Sequence, residues 1–347
     1  MDLEEKYKPV YLKDIKFNEV GNILQGFSLE TIPHLIVYGK TGSGKRTLVY
    51  ALINHLFGKI PKVHHRDLEI ETASKKKFNI SYKEANEYVE ICPSDYDFKD
   101  KDVIQDMIKN IAETRPILSL ISNKTPKMKL IVVTQAEKLS KDAQAALRRT
   151  VETYSKNFRI IMICDDLNQI IDPIKSRTLC LGVNSVTNEQ LLEELKLIVK
   201  KEKIEVTDNV LEQIVYDSKN NLRRALFFLD QAQKKPQDSK RKKSQKEFIL
   251  DWEEQVDEIV IKAISARNSV QIIEIRTKLN KLIVDCIPPK YILKRLFQGF
   301  RKSSKPEYLF ELSSLTAKYD GRLVLGSKSI FHLEAYVLAV LTTLFVK

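Results

Sequence analysis

The residues best suited to chemistry lie in a glycine-rich segment, Gly39-Lys-Thr-Gly-Ser-Gly-Lys45, which fits the pattern G-x-x-x-x-G-K. This segment follows a short apolar run, His34 to Tyr38, and precedes a helix-compatible stretch, Thr47 to Phe57. The pattern therefore predicts a strand, a loop and a helix in that order. In such a loop, glycines let backbone N–H groups point at phosphate oxygens, and Lys45 reaches the β- and γ-phosphates. The segment predicts a phosphate-binding loop for a nucleotide.

The position after the loop lysine is unusual. A Ser or Thr hydroxyl normally stands there and coordinates Mg²⁺, whereas this chain has Arg46. A guanidinium has no oxygen for a metal, but it can pair with phosphate as a substitute positive charge. Thr47 stands one position too late for the metal role. We expect the pocket to hold ATP or ADP with Mg²⁺ bound weakly or not at all.

Hydrolysis also needs acidic residues at the end of a second strand, one to hold Mg²⁺ and one to polarise the attacking water. The candidate strand, Leu130 to Val133, is followed by Thr134 and Gln135. Neither residue can serve as an anionic metal partner or as a base, and losing such groups removes orders of magnitude in rate. No other apolar strand in the first half of the chain ends in an acidic pair at a suitable distance from the phosphate loop. The sequence predicts a nucleotide pocket that does not hydrolyse its ligand.

The composition favours a basic globular protein. The 347 residues carry a formal net charge of +12, and Lys and Arg bind polyanions such as nucleic acid by neutralising phosphates and releasing counterions. The four cysteines are far apart and the histidines add no ligand spacing, so we expect no protein-held metal and a reducing compartment. The longest apolar stretch, Tyr336 to Val346, is shorter than the roughly 20 residues that span a bilayer. No membrane partner is expected.

The first half of the chain alternates between buried-strand and helical patterns. Further apolar strand candidates are Lys129 to Val133, Arg159 to Cys164 and Leu179 to Val183, and a helical segment, Lys141 to Tyr154, lies between the first two. Such alternation predicts a parallel sheet covered by helices on both faces.

From about Thr187 the pattern is helical only. The segment 234–246 has no apolar face, contains a proline and includes Lys-Arg-Lys-Lys, which we interpret as a solvated loop in preference to a nuclear-localisation or nucleic-acid patch. From Trp252 onward the pattern is again helical. We predict a nucleotide-binding domain at 1–183, a helical lid at 184–235, a basic linker at 236–250 and a helical domain at 251–347.

Four motifs in order resemble the small subunits of the eukaryotic clamp loader, replication factor C. Glu5 to Pro9 with Leu12 to Ile15 is similar to the family's E-K-Y-R-P…L-D-D-I entry segment. Leu139 to Thr150 is similar to its L-T-x-x-A-Q-x-A-L-R-R-T helix, Ile171 to Arg177 to its I-x-P-I-x-S-R-C motif, and Asn221 to Ala225 to its G-D-M-R-x-A lid sensor. The motifs extend over about two-thirds of the chain. The altered metal site and the segment Leu325 to Glu334 resemble the subunit type at the end of the family's five-membered arc.

The resemblance implies both fold and function. The implied fold is α/β plus all-α: an AAA+ RecA-like parallel-sheet domain, a helical lid and a helical collar that joins the ring. The implied function is that of a non-hydrolysing subunit of a nuclear hetero-pentamer. This complex opens the sliding clamp, PCNA, and loads it onto primer-template DNA without sequence preference. The same subunit type also serves alternative loaders.

The resemblance also assigns roles to residues. Arg177 matches the arginine finger that completes a neighbouring subunit's ATP site, and Arg223 matches the lid sensor. Two departures are Asp165 in place of a sensor Asn and Thr178 in place of the cysteine of S-R-C. The complete predicted nucleotide-contacting set is Tyr7, Lys8, Pro9, Gly39, Gly42, Ser43, Gly44, Lys45, Arg46, Thr47 and Arg223.

The predicted DNA contacts are Lys109, Arg148, Arg149 and Lys156, although the two arginines suit subunit contact or packing as well. The segment Tyr96 to Met107 corresponds to the clamp-contacting region, and ordinary helix packing explains its pattern equally well. Two other functions stay open at this point. One is a self-sufficient P-loop ATPase acting on nucleic acid, such as a helicase. The other is a purely structural scaffold with an empty pocket.

Overall fold

The computed structural model separates into two compact units, residues 1–245 and 246–347. It describes residues 2–71, 77–92, 128–155, 158–234, 248–265, 268–326 and 328–344.

The first unit contains a mixed sheet. Its described strands are β1 (Leu35–Tyr38), β2 (His64–Glu71), β3 (Lys77–Glu84), β4 (Tyr88–Ile91), β5 (Lys129–Val133), β6 (Phe158–Cys164) and β7 (Leu179–Gly182). They lie in the order β2-β3-β4-β5-β6-β1-β7. The five strands from β4 to β7 in this order pair in parallel, which confirms the predicted parallel sheet.

Strands β2 and β3 form an antiparallel hairpin that extends one edge of the sheet and joins β4. The sequence analysis did not predict this hairpin. Its first strand reads HHRDLEIE and its second KFNISYKE, so neither contains the apolar run by which β1, β5, β6 and β7 were recognised. Strand β4, whose four residues include Glu90, was not predicted either.

The central strand β1 shows why the parallel strands read as continuous apolar runs. Leu35, Ile36 and Val37 are completely buried. Ile36 belongs to the core on one face of the sheet, and Leu35 and Val37 belong to the core on the other. Because successive side chains point to opposite faces, a strand covered on both sides needs apolar residues at every position. Burial of each such side chain stabilises the fold by about 1.5–3 kcal/mol.

Helices cover both faces and then form a separate group after β7. In chain order they are α1 (Leu3–Lys6), α2 (Val20–Gln25), α3 (Lys45–Phe57), α4 (Lys141–Tyr154), α5 (Asp172–Lys175), α6 (Asn188–Glu202), α7 (Asp208–Ser218) and α8 (Leu222–Lys234). The local sequence sets their starts. Ser140 accepts a hydrogen bond from the Ala143 N–H at the start of α4, and Thr187 with Gln190 forms a capping box at the start of α6.

The second unit is helical over its described residues. Its helices are α9 (Asp251–Ser265), α10 (Ser269–Val284), α11 (Pro289–Ser303), α12 (Leu309–Leu325) and α13 (Ser329–Leu344). Tyr336 is completely buried at its centre, packed edge-on against Phe300 and Tyr319, and its hydroxyl shares a 3.0 Å hydrogen bond with Thr316. Nowhere in the described part of the chain is a helix long and apolar enough to cross a membrane.

A histidine at the start of β1 gives the first unit a testable pH dependence. The Ile160 N–H donates to Nδ1 of His34 at 3.1 Å, so the ring must be neutral there. Burial, together with the nearby Arg159, lowers the pKa of His34 from 6.5 to about 4. Between pH 6.5 and pH 4 the unfolded chain protonates this histidine and the folded chain does not. The contribution of neutral His34 to the free energy of unfolding is therefore fully present above pH 6.5. It is lost as the pH falls towards 4.

We therefore expect the free energy of unfolding to fall by up to about 3 kcal/mol between pH 6.5 and pH 4 through this residue. Carboxylates also titrate in this range, so the measurement is a difference between wild type and His34→Asn, whose side-chain oxygen can accept the same N–H without titrating. Urea unfolding at several pH values measures both proteins. If the free energy of unfolding of the two proteins changed with pH in parallel, the assignment of this pH dependence to His34 would be contradicted.

Candidate nucleotide-binding site

The predicted phosphate loop connects β1 to α3. Gly42 and Gly44 have φ angles of 82° and 87°, in the left-handed region that glycine adopts without steric cost. Gly44 is the N-cap of α3, so the loop leads directly into the positive end of the helix dipole. This backbone arrangement suits the binding of phosphate.

Lys45 is only 7% exposed. Its Nζ donates to the carbonyl oxygens of Gly39 at 2.8 Å and Lys40 at 2.9 Å, and it forms a 2.8 Å ion pair with Asp165 at the end of β6. Asp165 also accepts a 2.7 Å hydrogen bond from the Thr41 hydroxyl. The residue that replaces the family's sensor Asn thus binds the loop lysine and the loop itself. Its carboxylate competes with nucleotide phosphate for Lys45.

A cavity lies between the N-terminal segment, the loop and the helices after β7. Hydrophobic residues such as Leu226 contribute to its wall. The predicted nucleotide residues among its lining are Tyr7, Pro9, Ser43, Gly44 and Thr47.

The donors at this cavity fit a nucleotide better than a metal. The Ser43 hydroxyl oxygen is buried and has no hydrogen-bond partner among the described residues, and a buried polar atom of this kind is expected to gain one from a ligand. Within the described ranges, no group of three or more His, Cys, Asp or Glu side chains could hold a metal ion.

The residues after β5, where a metal-binding carboxylate and a catalytic base would normally stand, make other contacts. Thr134 is buried, and its hydroxyl donates to the carbonyl oxygen of Ile91 at 3.2 Å. Gln135 has a φ of 53° and precedes a short 3₁₀ helix. Glu137 is the acidic residue nearest to Gln135 in sequence. Burial raises the pKa of its carboxyl, which accepts a 3.3 Å hydrogen bond from the Asp165 N–H. Thr134 and Gln135 thus provide neither a metal-binding carboxylate nor a base.

Three predicted nucleotide residues make other contacts. Arg46 turns to Glu90 on β4, with which it forms an ion pair. The Lys8 amine lies 4.7 Å from the centroid of the Tyr50 ring, outside the cavity lining. Nε of Arg223 donates to Glu4 at 2.7 Å.

The N-terminal segment and the helices after β7 are joined by polar contacts. Besides the Glu4–Arg223 pair, Glu202 binds Lys6 at 2.8 Å and accepts a hydrogen bond from the Tyr7 hydroxyl. That hydrogen bond, with burial, raises the pKa of Tyr7 to about 12. A cavity-lining tyrosine is therefore fixed by a residue of α6.

The lid sensor motif touches the phosphate loop. The Asn221 side chain donates to the carbonyl oxygen of Thr41 at 3.3 Å and accepts the Arg224 N–H at 3.1 Å. A Cβ on Gly42 would lie 2.0 Å from its amide oxygen. Glycine at this loop position therefore allows the close approach of the lid.

The predicted arginine finger lies at the surface after α5, and its side chain is 39% exposed. Nε of Arg177 forms a 2.6 Å ion pair with Glu152 on α4, and Nη1 donates to the carbonyl oxygen of Pro173 at 2.9 Å. Glu152 also pairs with Arg148 at 3.2 Å. These two arginines hold the pKa of the Glu152 carboxyl below its usual value, Arg148 most strongly.

Arg149 is an exposed residue of α4. The other predicted DNA contacts, Lys109 and Lys156, lie outside the described residues, as do the predicted clamp-contacting segment and the lysine-rich segment after Lys234.

Sequence reasoning missed Glu90, Tyr50 and Glu202 as parts of this site, and it named Asn221 only as the first residue of the lid sensor motif. Tyr50 stands four residues after Arg46 on α3, which places both on one helix face. Glu90 is a charged residue within the otherwise apolar strand β4. These two signals were present in the sequence, whereas the contacts of Asn221 and Glu202 depend on how distant segments pack.

Three features define the class of protein. Strands β4, β5, β6, β1 and β7 form the parallel part of the sheet, a G-x-x-x-x-G-K loop precedes a helix, and the sensor motif of a helical lid contacts that loop. Together they define a nucleotide-binding protein of the AAA+ class. Three family models match the chain. They are described as DNA polymerase III, delta subunit (residues 22–187), RCF1/5-like, AAA+ ATPase lid domain (residues 193–232), and Replication factor C subunit 3, C-terminal domain (residues 252–346).

Similar curated proteins span nearly the whole chain. Replication factor C subunit 5 of Oryza sativa is 34% identical over 96% of this chain and 94% of its own length. Replication factor C subunit 3 of Homo sapiens is 33% identical over 96% and 93%, and subunit 5 of Saccharomyces cerevisiae 33% over 98% and 98%. The chain belongs to the replication factor C family, among the subunits called 5 in yeast and 3 in human. The predicted resemblance and fold class are confirmed.

The Asp165–Lys45 pair generates a prediction for ligand preference. We expect Asp165→Asn to raise the affinity for ATP about five- to tenfold and the affinity for ADP by less, because a unit negative charge about 4 Å from a phosphate charge costs about 1 kcal/mol at the dielectric constant of water and more near a protein surface. Competition against a fluorescent nucleotide measures both affinities. Asp166→Asn is the matched control, since it removes the same charge from a residue that caps a short 3₁₀ helix through the Asn168 N–H. Equal effects of the two variants would contradict the prediction.

Proposed function

We propose that this chain is a non-hydrolysing subunit of a hetero-pentameric clamp loader. In this role it holds ATP or ADP, supplies Arg177 to a neighbouring subunit's ATP site, and helps to open the sliding clamp, PCNA, and load it onto primer-template DNA. One observation carries the proposal: an intact phosphate loop and an exposed Arg177 occur together with Thr134 and Gln135 where the hydrolytic carboxylates would stand.

The chemistry of the cavity supports binding without turnover. The loop N–H groups and the Ser43 hydroxyl supply phosphate contacts. Phosphoryl transfer also needs a group that positions water and charge that neutralises the leaving oxygens. Thr134 donates its hydroxyl to a backbone carbonyl and Gln135 carries no charge, so neither residue meets these needs.

Arg177 suits a role in trans. Its partner Glu152 is exposed and shared with Arg148, so the pair is weak and can exchange for a stronger acceptor. A neighbouring nucleotide phosphate would be such an acceptor because a guanidinium binds phosphate oxygens in a bidentate manner. Glu152 therefore holds the side chain near the surface until a neighbour binds.

The names of the relatives and the net charge of the chain support the other partners in this proposal, which are the neighbouring subunits and DNA. The relatives are named as replication factor C subunits, which supports assembly with other subunits of that complex in the nucleus. The net charge of +12 and the exposed Arg149 suit a sequence-independent DNA contact through phosphates. The division into a nucleotide-binding domain, lid, linker and collar at 183, 235 and 250 is part of this proposal.

The central test removes the trans-acting arginine. We expect Arg177→Ala, in a reconstituted pentamer with clamp and DNA, to reduce hydrolysis at the neighbouring site by about 10³-fold or more. Total ATPase falls by less, because the other sites keep their own arginines. Arg177→Lys should not restore the rate, since an ammonium lacks the planar fork. Steady-state ATPase and clamp-loading assays measure both variants.

Two further variants separate this role from local disruption. Lys175→Ala removes a cation from the adjacent helix α5, where it pairs with Asp172, and should leave the ATPase unchanged. Glu152→Gln should likewise preserve it, because Glu152 only holds the arginine before assembly. Unchanged ATPase in Arg177→Ala would favour a purely structural subunit, and rapid turnover by the isolated chain would favour a self-sufficient ATPase.

The DNA contact has its own test. We expect Arg149→Ala in the pentamer to weaken DNA binding equally for unrelated sequences and to reduce the slope of log affinity against log salt by about 1. Glu307→Gln, an exposed charge change in the second unit, is the control. An unchanged slope would assign Arg149 to packing or subunit contact instead.

A further inference from the structure

Arg46, Tyr50 and Glu90 form a closed polar cluster beside the phosphate loop. Arg46 pairs with the Glu90 carboxylate, and its Nε donates to the Tyr50 hydroxyl oxygen at 2.9 Å. The Tyr50 hydroxyl in turn donates to the second oxygen of Glu90 at 2.6 Å. Burial, with the Glu90 hydrogen bond, raises the pKa of Tyr50, so the hydroxyl keeps its proton.

Glu90 is unusual for its surroundings. Its side chain is only 4% exposed, and a buried carboxylate is costly unless a cation and hydrogen-bond donors compensate it. Arg46 supplies the close positive charge, and the Lys83 amine lies farther away, at 4.0 Å. A Ser or Thr at position 46 would leave Glu90 without its nearest cation. We therefore expect the effects on stability of replacing Arg46 and of replacing Glu90 to be coupled.

The cluster also lies on the face of the sheet where a metal would be held. On β5, Leu130 and Val132 face the core that contains α3, and Thr134 continues this alternation one step beyond the strand. Strand β4 pairs with β5 so that Glu90 stands opposite Val132. The Arg46 guanidinium thus reaches from α3 to the face that carries Thr134.

Mg²⁺ does not fit this arrangement. The position that should offer a hydroxyl offers a guanidinium, and the acidic positions are Thr134 and Gln135. On this face, the Glu90 carboxylate is already paired with that guanidinium and with a tyrosine. The side chains on this face form a neutral, internally satisfied pair instead of an anionic set of metal ligands.

We propose that Glu90 and Tyr50 are positioning residues that hold Arg46 at the position where the Mg²⁺-binding hydroxyl would stand, so that the site binds nucleotide without a metal. The metal-free binding rests on the proposed nucleotide-holding function, whereas the dependence of Arg46 on Glu90 does not. The arrangement also means that a Ser at position 46 alone cannot recreate a metal site, because it leaves Glu90 buried and unpaired.

The experiment uses the full chain in four forms: wild type, Arg46→Ser, Glu90→Gln and the double variant. ADP affinity is measured by calorimetry in Mg²⁺ and in EDTA, and thermal stability is measured without nucleotide. We expect wild-type affinity to agree within twofold between Mg²⁺ and EDTA. Arg46→Ser should lower the melting temperature by about 5 °C or more, and adding Glu90→Gln should recover much of that loss because the unpaired buried charge is removed.

A second ion pair with a buried carboxylate, between the segment after α3 and the residue before β4, provides the matched control. Lys59 pairs with Glu87 at 2.5 Å, and the Glu87 side chain is 3% exposed. Lys59→Ser should also lower the melting temperature, but the ratio of ADP affinities in Mg²⁺ and EDTA should stay at its wild-type value. Glu90→Gln releases Arg46, and we expect it to weaken ADP binding in EDTA several-fold while Lys59→Ser does not.

Two results would overturn the inference. One is wild-type binding that is at least tenfold weaker in EDTA. The other is a double variant whose loss of stability equals the sum of the single losses. If the wild-type chain binds no nucleotide in either condition, the proposed function is wrong. The positioning role is then judged on the stability cycle alone, which supports it if the losses are coupled and overturns it if they are additive.

Discussion

The site depends on the placement of β1 between β6 and β7. Its residues Leu35, Ile36 and Val37 are completely buried, and its parallel pairing with both neighbours fixes where the chain leaves the sheet. The phosphate loop begins at that edge, Asp165 follows the adjacent strand, and Thr134 follows the next strand along. Because the carboxyl ends of parallel strands lie together, the sheet brings these residues into one site.

Charged side chains of the first unit are paired with one another. Lys45 pairs with Asp165, Arg46 with Glu90, Arg223 with Glu4, and Arg177 with Glu152. The pairs differ in burial: Glu90 and Lys45 are almost fully buried, whereas the carboxylates of Glu4 and Glu152 are at least 40% exposed. Exposed pairs exchange at little cost, and a pair with a buried member resists exchange. In the proposed function, this difference leaves Arg177 available to a neighbouring subunit and keeps Arg46 in place.

The sequence was informative wherever a local rule determines the structure. The loop, the parallel strands β1, β5, β6 and β7 and the helical lid follow from glycine spacing and hydrophobic periodicity, and they are present. The β2–β3 hairpin was missed because its polar residues resemble a loop, and it is held by backbone pairing over eight positions. The ring contact of Lys8 and the Glu4–Arg223 pair depend on packing between segments far apart in sequence, which no local pattern encodes.

The most direct test of a catalytically silent nucleotide pocket is a single-turnover measurement. The isolated full chain, in excess over radiolabelled ATP and with Mg²⁺ present, is sampled over several hours for conversion of ATP to ADP. The account predicts that the bound nucleotide stays ATP at the uncatalysed rate, and that a Lys45→Ala control differs only in binding. Conversion within minutes that disappears in the Lys45→Ala control would contradict it, and would show that the site hydrolyses nucleotide without acidic residues at 134 and 135.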